Sequence, residues 1–143
     1  MITKTQLYNP KILNIYKNLQ YFKKELDQTK IYKCNEIRMC GLKICLEVEI
    51  IDKIITSIYY NGTGDCISMV STEILCKICR NKHIDEVKQI INQFFETIEK
   101  KEIHNFTEDF IEIQYLIDIS IYPLKIKNII MSWSILKSII QSI

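Results

Sequence analysis

Six cysteines, Cys34, Cys40, Cys45, Cys66, Cys76 and Cys79, are the residues of this 143-residue chain best suited to chemistry. Such residues serve as metal ligands, as sulfur nucleophiles or as ordinary buried side chains. Cys66 has the strongest local setting. It follows Gly62 and Gly64 and stands where a helix is expected to begin. There the positive helix end and its free N–H groups favour a thiolate, the form that attacks persulfides and binds metals. The bland alternative is a small side chain filling a tight turn. Cys40 precedes Gly41 at the mouth of an expected strand, and site residues collect at element ends.

The other four cysteines read as scaffold. Cys76-Lys-Ile-Cys79 has C-x-x-C spacing but no second pair, as a zinc ribbon requires, and it falls inside a helix rather than at its start. It is expected on a buried face or as two free thiols. Cys34 and Cys45 carry no motif, and Cys45 falls on the polar face of its strand, which predicts partial exposure. His83 and His104 lie in polar stretches without spaced partners and read as surface residues. No Ser-His-Asp order, phosphate loop or H-E-x-x-H is present.

Apolar spacing indicates the elements that must position these residues. After Asn9 and Pro10, the residues Ile12, Ile15, Leu19, Phe22 and Leu26 recur every three or four positions, which predicts one long helix. From Leu42 the period becomes two. Leu42, Ile44, Leu46, Val48 and Ile50 point one way, and Lys43, Cys45, Glu47 and Glu49 the other. A turn at Ile51-Asp52-Lys53 leads into Ile54 to Tyr60, giving a hairpin, and Ile31 to Met39 is a candidate third strand. The remainder reads as helices: Ile67 to Ile78, Ile84 to Ile98, Phe106 to Ile117 with Thr107 as N-cap, and Ile129 to Ile140 after Pro123. Strands first and helices later make an α+β domain.

Composition sets the outer limits. With 48% hydrophobic and 25% charged residues, the length predicts one domain spanning 1–143 with a real core. Nineteen basic residues against seventeen acidic ones give no reason to expect nucleic-acid binding. No stretch approaches the ~20 apolar residues of a membrane span, and the N-terminus has no apolar signal region, so no membrane partner and a cytoplasmic location with reduced thiols are expected. The 31 isoleucines and absent alanine point to coding bias.

Taken together, the segments resemble the SufU/IscU/NifU N-terminal-domain family of iron–sulfur cluster assembly proteins, SufU most closely. Leu7-Tyr8 through Ile15-Tyr16-Lys17-Asn18 resembles the opening L-Y-x-x-x-I-x-x-x-Y-K-N-P helix. Met39-Cys40-Gly41-Leu42 is similar to T-C-G-D. Tyr60-Asn-Gly-Thr-Gly-Asp-Cys66-Ile-Ser-Met69 looks like F-x-G-x-G-C-x-I-S-M with one extra loop residue. Tyr122-Pro-Leu-Lys-Ile-Lys127-Asn128, with Trp133 and Leu136, looks like F-P-x-R-I-K-C-x-x-L-x-W-x-x-L. The long segment between His83 and Tyr122 matches the insertion of SufU.

The resemblance implies a three-stranded antiparallel sheet packed by helices, with a metal site at one end. It implies either a scaffold on which clusters are assembled, as in IscU-type proteins, or sulfur acceptance from a cysteine desulfurase, with Cys40 as persulfide acceptor, and apo iron–sulfur proteins as further partners. Its cofactor is zinc, iron or an iron–sulfur cluster, held by Cys40, Cys66 and two further ligands. At those two positions this chain has Leu42 and Asn128, for which Asp65 is the available substitute carboxylate. Asn128 reads as the cap of the last helix. Lys127 follows the SufU pattern, and Lys125 replaces the usual arginine. Two other readings follow from the departures: a non-catalytic desulfurase partner or regulatory protein that has lost the metal site, or a rebuilt site recruiting Cys34, Cys45 or Asp65.

Overall fold

Asn9 starts the first helix, α1 (Pro10–Lys17), by accepting the N–H groups of Lys11 and Ile12 on its side-chain oxygen at 2.9 and 3.0 Å. Pro10 sits in the first turn, where its missing N–H costs nothing. The computed structural model describes residues 9–100 and 111–143. The expected continuation of α1 to Leu26 is corrected. The helix stops at Asn18, whose side chain donates to the Asn14 carbonyl at 2.8 Å. Beyond it, the buried Glu73 carboxylate accepts the N–H groups of Gln20 and Tyr21, so those backbone donors are used outside a helix.

Three antiparallel strands follow in the order β1 (Ile31–Ile37), β2 (Leu42–Ile51) and β3 (Ile54–Thr63). A short 3-10 turn, Arg38–Cys40, joins β1 to β2. Asp52 and Lys53, with φ of 52° and 62°, make the two-residue turn between β2 and β3. Both residues in the left-handed region match the strand twist of a hairpin.

Helices cover the sheet. The central one is α2 (Cys66–Cys79), followed by α3 (Ile84–Lys100), α4 (Ile111–Ile119), a 3-10 turn at Pro123–Lys125, and α5 (Ile126–Gln141). The expected Thr107 cap, the Phe106 and Phe110 positions, His104 and the Leu7-Tyr8 start of the first motif lie outside the described residues. The α+β class and the three-stranded antiparallel sheet hold.

One apolar core runs from Ile12 to Ile140 and takes in Leu42, Ile44, Leu46 and Val48 from the inner face of β2. Trp133 of α5 stacks on Phe94 of α3 with ring centres 3.7 Å apart. Its indole N–H donates to Ser71 Oγ at 3.0 Å, and that hydroxyl donates to the Ile129 carbonyl at 2.5 Å. The polar edge of the largest core side chain is thereby satisfied, and the start of α5 is tied to α2.

The second face of β2 is not the open polar face that alternation predicts. Cys45 is buried and Glu47 is 0% exposed. The segment between α1 and β1 lies across them: Asp27 N–H donates to Glu47 Oε1 at 2.5 Å, Lys23 Nζ is 3.7 Å from Oε2, and Tyr21 to Lys23 pair with Tyr60 along β3. The residues expected in a longer α1 thus serve as the lid of this face.

Candidate sulfur and metal site

Cys40 ends the 3-10 turn and is exposed. Gly41 follows with φ of 64°, a left-handed conformation that glycine takes at least cost, and its N–H closes the turn on the Arg38 carbonyl at 3.1 Å. Met39, 99% exposed, stands beside the thiol. The 3-10 turn therefore presents Cys40 to solvent at the edge of the sheet.

The glycine loop brings Cys66 to the same end of the sheet. Thr63 Oγ donates to the Gly41 carbonyl at 3.3 Å. A side chain at Gly62 would place its first carbon 2.3 Å from the Lys43 carbonyl, and one at Gly64 would lie 2.8 Å from Leu42 Cδ1. At Gly62, where the neighbour is backbone, only glycine permits this close approach to the start of β2; at Gly64 the neighbour is the end of a side chain that would have to shift. Asp65 then caps α2, accepting the Ser68 N–H and the Ser68 hydroxyl on Oδ1, each at 2.9 Å.

That cap changes the reading of Cys66. The thiol is half-buried at the first position of α2, as expected, but the N-terminus already carries the Asp65 carboxylate. Burial first, and the neighbouring negative charge second, push the Cys66 thiol up to about 11. The expected stabilised thiolate is not what this helix end provides. An N-terminal helix field favours one anion, and the aspartate occupies that role.

Asp65 is equally committed on its other oxygen. Lys125 Nζ donates to Oδ2 at 2.9 Å, and Asn128 Nδ2 donates to Ser68 Oγ at 3.2 Å. Burial raises the Asp65 carboxyl, but Ser68 and Lys125 outweigh it and hold it below the ordinary carboxylate value. Asn128 is not a helix cap: α5 begins at Ile126, so Asn128 lies in its first turn with its amide turned onto Ser68. Leu42, 1% exposed, is a core residue. Lys127, in the same turn of α5, donates from Nζ to Cys40 Sγ at 2.9 Å.

The donors at this end do not fit a metal ion. Of the four positions the resemblance assigns, one is a thiol facing an ammonium, one is a core leucine, one is a thiol with a raised pKa, and one is an amide donating its N–H. The substitute carboxylate has both oxygens engaged. Among the described residues no group of three His, Cys, Asp or Glu side chains could hold a metal, and structural zinc takes four ligands.

Recruitment of Cys34 or Cys45 is overturned too. The two face each other across β1 and β2 and form a disulfide, so they are neither free nor reduced as expected. Cys76 and Cys79 are fully buried within α2, on its second buried face. His83 accepts the Asp85 N–H on Nδ1 at 3.1 Å, a local role at the head of α3. Among the contacts that sequence reasoning missed are Lys127 on Cys40, Lys125 on Asp65 and, last, Cys34 on Cys45. The disulfide was open to a register argument, because Cys34 and Cys45 are equidistant from the middle of the turn between their strands.

Comparison with known proteins fits this geometry. The NifU-like N terminal domain family matches residues 7–116, which include Cys40, Leu42 and Cys66 and stop before α5. The iron–sulfur cluster assembly scaffold protein IscU of Thermotoga maritima is 25% identical over 138 residues, covering 96% of this chain and 94% of that protein. The crystal structure of a NifU-like protein (N-terminal) from Brucella abortus superposes with a TM-score of 0.83 at 12% identity, covering 96% of this chain and 94% of that one. FiSufU of the SUF system, from Fervidobacterium islandicum AW-1, gives a TM-score of 0.80 at 18% identity, covering 95% and 98%. With residues 7–116 matched by the family model, the chain belongs to the NifU-like N-terminal domain family.

Proposed function

We propose that this protein works in iron–sulfur cluster assembly as a single-domain sulfur acceptor, taking persulfide sulfur from a cysteine desulfurase onto Cys40. The observation that carries this reading is the exposed Cys40 thiol on the turn before β2, with the Lys127 ammonium on its sulfur. An exposed thiol can be reached by a sulfur donor, whereas Cys76 and Cys79 are sealed in the core. The family membership supplies the class of work. Cytoplasm is the compartment this reading assigns, where the Cys34–Cys45 bond is an exception to the reduced state of most thiols, and apo iron–sulfur proteins are the downstream recipients. Zinc or iron enters as cargo shared with a partner rather than as an ion this chain holds by itself.

Incubation with a cysteine desulfurase and free cysteine, followed by peptide mass spectrometry, tests the reading. The expected product is one added sulfur on Cys40. Sulfur on neither Cys40 nor Cys66 rejects it.

A second reading, a non-catalytic desulfurase partner, is favoured by the burial of Leu42 and the engagement of Asp65. It requires Cys40→Ser and Cys66→Ser proteins to support cluster assembly as well as the wild type does.

A further inference from the structure

We propose that Lys127 is the catalytic partner of Cys40, its ammonium placed on the attacking sulfur to meet the negative charge that develops there during transfer and on the persulfide after it, so that sulfur acceptance here needs no metal ion. The inference rests on the sulfur-acceptor reading of Cys40 and adds the group that makes the acceptor work.

Three observations carry it. Lys127 Nζ donates to Cys40 Sγ at 2.9 Å across 87 positions of sequence, so the contact is a product of the fold. Both backbones are fixed. Cys40 is held by the left-handed Gly41 and the Thr63 hydrogen bond to the Gly41 carbonyl, and Lys127 is held in the first turn of α5 next to the Ile129 carbonyl that accepts from Ser71. The nearby charges are already sorted. Asp65 is committed to Lys125 and Ser68, so it does not draw the Lys127 ammonium away from the sulfur.

The step balances without an oxidant or reductant. Cys40 Sγ, as thiolate, attacks the terminal sulfur of a donor hydropersulfide, R–S–SH. A new Sγ–S bond forms, the donor S–S bond breaks, and its electron pair leaves on the R–S sulfur. The proton of the new hydropersulfide passes to the departing R–S sulfur, so the net change is R–S–SH plus Cys40–S⁻ giving R–SH plus Cys40–S–S⁻, with the sulfane sulfur moved unchanged. The charge that starts on Sγ thus ends on the terminal sulfur one bond further out. A lysine on a flexible four-carbon stem can follow it over that distance, and a hydrogen bond to an ionised partner is stronger than a neutral one.

The test uses glutathione persulfide as sulfur donor, full-length protein dialysed against a chelator, and mass-spectrometric reading of the Cys40 peptide. Lys127→Gln is expected to slow sulfur loading of Cys40 roughly tenfold or more, the scale of one hydrogen bond to a charged group. Lys127→Arg is expected to restore most of the rate, and Lys88→Gln, which removes a distant exposed charge, to leave it unchanged. A matched thermal midpoint for all three proteins separates loss of chemistry from loss of fold.

Equal loading rates in wild type and Lys127→Gln overturn the proposal. So does loading that vanishes after chelation and returns with added zinc. Because the donor is a small molecule, failure of the desulfurase reading is distinguishable: Lys127-dependent loading from glutathione persulfide with none from a desulfurase upholds the pair and rejects the partner.

Discussion

Asp65 and Lys125 stand 60 residues apart in sequence and 2.9 Å apart in space, closing the end of the molecule where the glycine loop meets α5. The carboxylate also caps α2 through Ser68, so one side chain ties two helices to one loop. This is a protein-internal arrangement at the place where the family resemblance expects a metal.

Asp65→Ala is expected to lower the unfolding free energy by about 1–2 kcal/mol, since it removes both the cap and the ion pair. Asp65→Asn keeps an acceptor for the cap and is expected to cost under about 1 kcal/mol. The Asp65 carboxyl lies below its unfolded value, so its stabilisation is complete above the ordinary carboxylate range and is lost as pH falls through the lower, folded value. Urea midpoints measured from pH 7 down to pH 2 should therefore show a shallower acid limb in Asp65→Asn. Identical limbs in the two proteins would mean the ion pair contributes nothing.

Cys66 should be slow to alkylate at neutral pH and speed up toward pH 11, because burial and the Asp65 charge raise it to about 11. Asp65→Asn removes the second of those causes, so the Cys66 rate is expected to rise at pH 9 without any change in exposure. Iodoacetamide labelling with peptide mapping reads both effects. Rapid Cys66 labelling at pH 7 in the wild type would contradict the account of this helix end.

The strand pattern from Leu42 to Val48 was readable because apolar alternation is a local signal, and the glycine loop and α2 followed from Gly62, Gly64 and the spacing of Ile67 and Ile74. The stripe from Ile12 to Leu26 misled because the same spacing serves a segment that folds over the sheet, with Phe22 packed edge-on against Tyr60 at 5.5 Å. Burial of Glu47 was hidden for that reason. Around the candidate site, motifs disclose that Cys40, Cys66, Leu42 and Asn128 gather at one end of the fold. What occupies that end was not legible, since Lys125 on Asp65 and Lys127 on Cys40 are contacts made only after α5 docks.

The Cys34–Cys45 bond predicts that non-reducing peptide mapping of the isolated protein recovers one cross-linked pair joining β1 and β2. It closes a separation of 11 residues, for which the loop-entropy account allows at most about 3 kcal/mol of stabilisation. Reductant should therefore lower the urea midpoint of the wild type. A Cys34→Ala/Cys45→Val protein should start lower and show no response to reductant. A wild type indifferent to reductant, with both cysteines labelled, would remove the bond from the account.

Installing the ligands that the resemblance implies is expected to destabilise the chain until metal is supplied. Leu42→Asp exchanges a core side chain, 1% exposed, for a carboxylate in contact distance of the glycine loop. Loss of the buried leucine alone costs about 2–5 kcal/mol, and burying an unpaired carboxylate adds to it. Asn128→Cys removes the amide that donates to Ser68, and supplies the third thiol. The Leu42→Asp/Asn128→Cys protein should therefore unfold at lower urea than wild type in chelator. Zinc binding only the folded form should then raise its midpoint by mass action, while leaving the wild-type midpoint where it was. Parallel urea titrations with zinc and with chelator decide the matter. A zinc-induced rise in the wild type would show that its own donors, engaged as they are, can still be recruited by a metal.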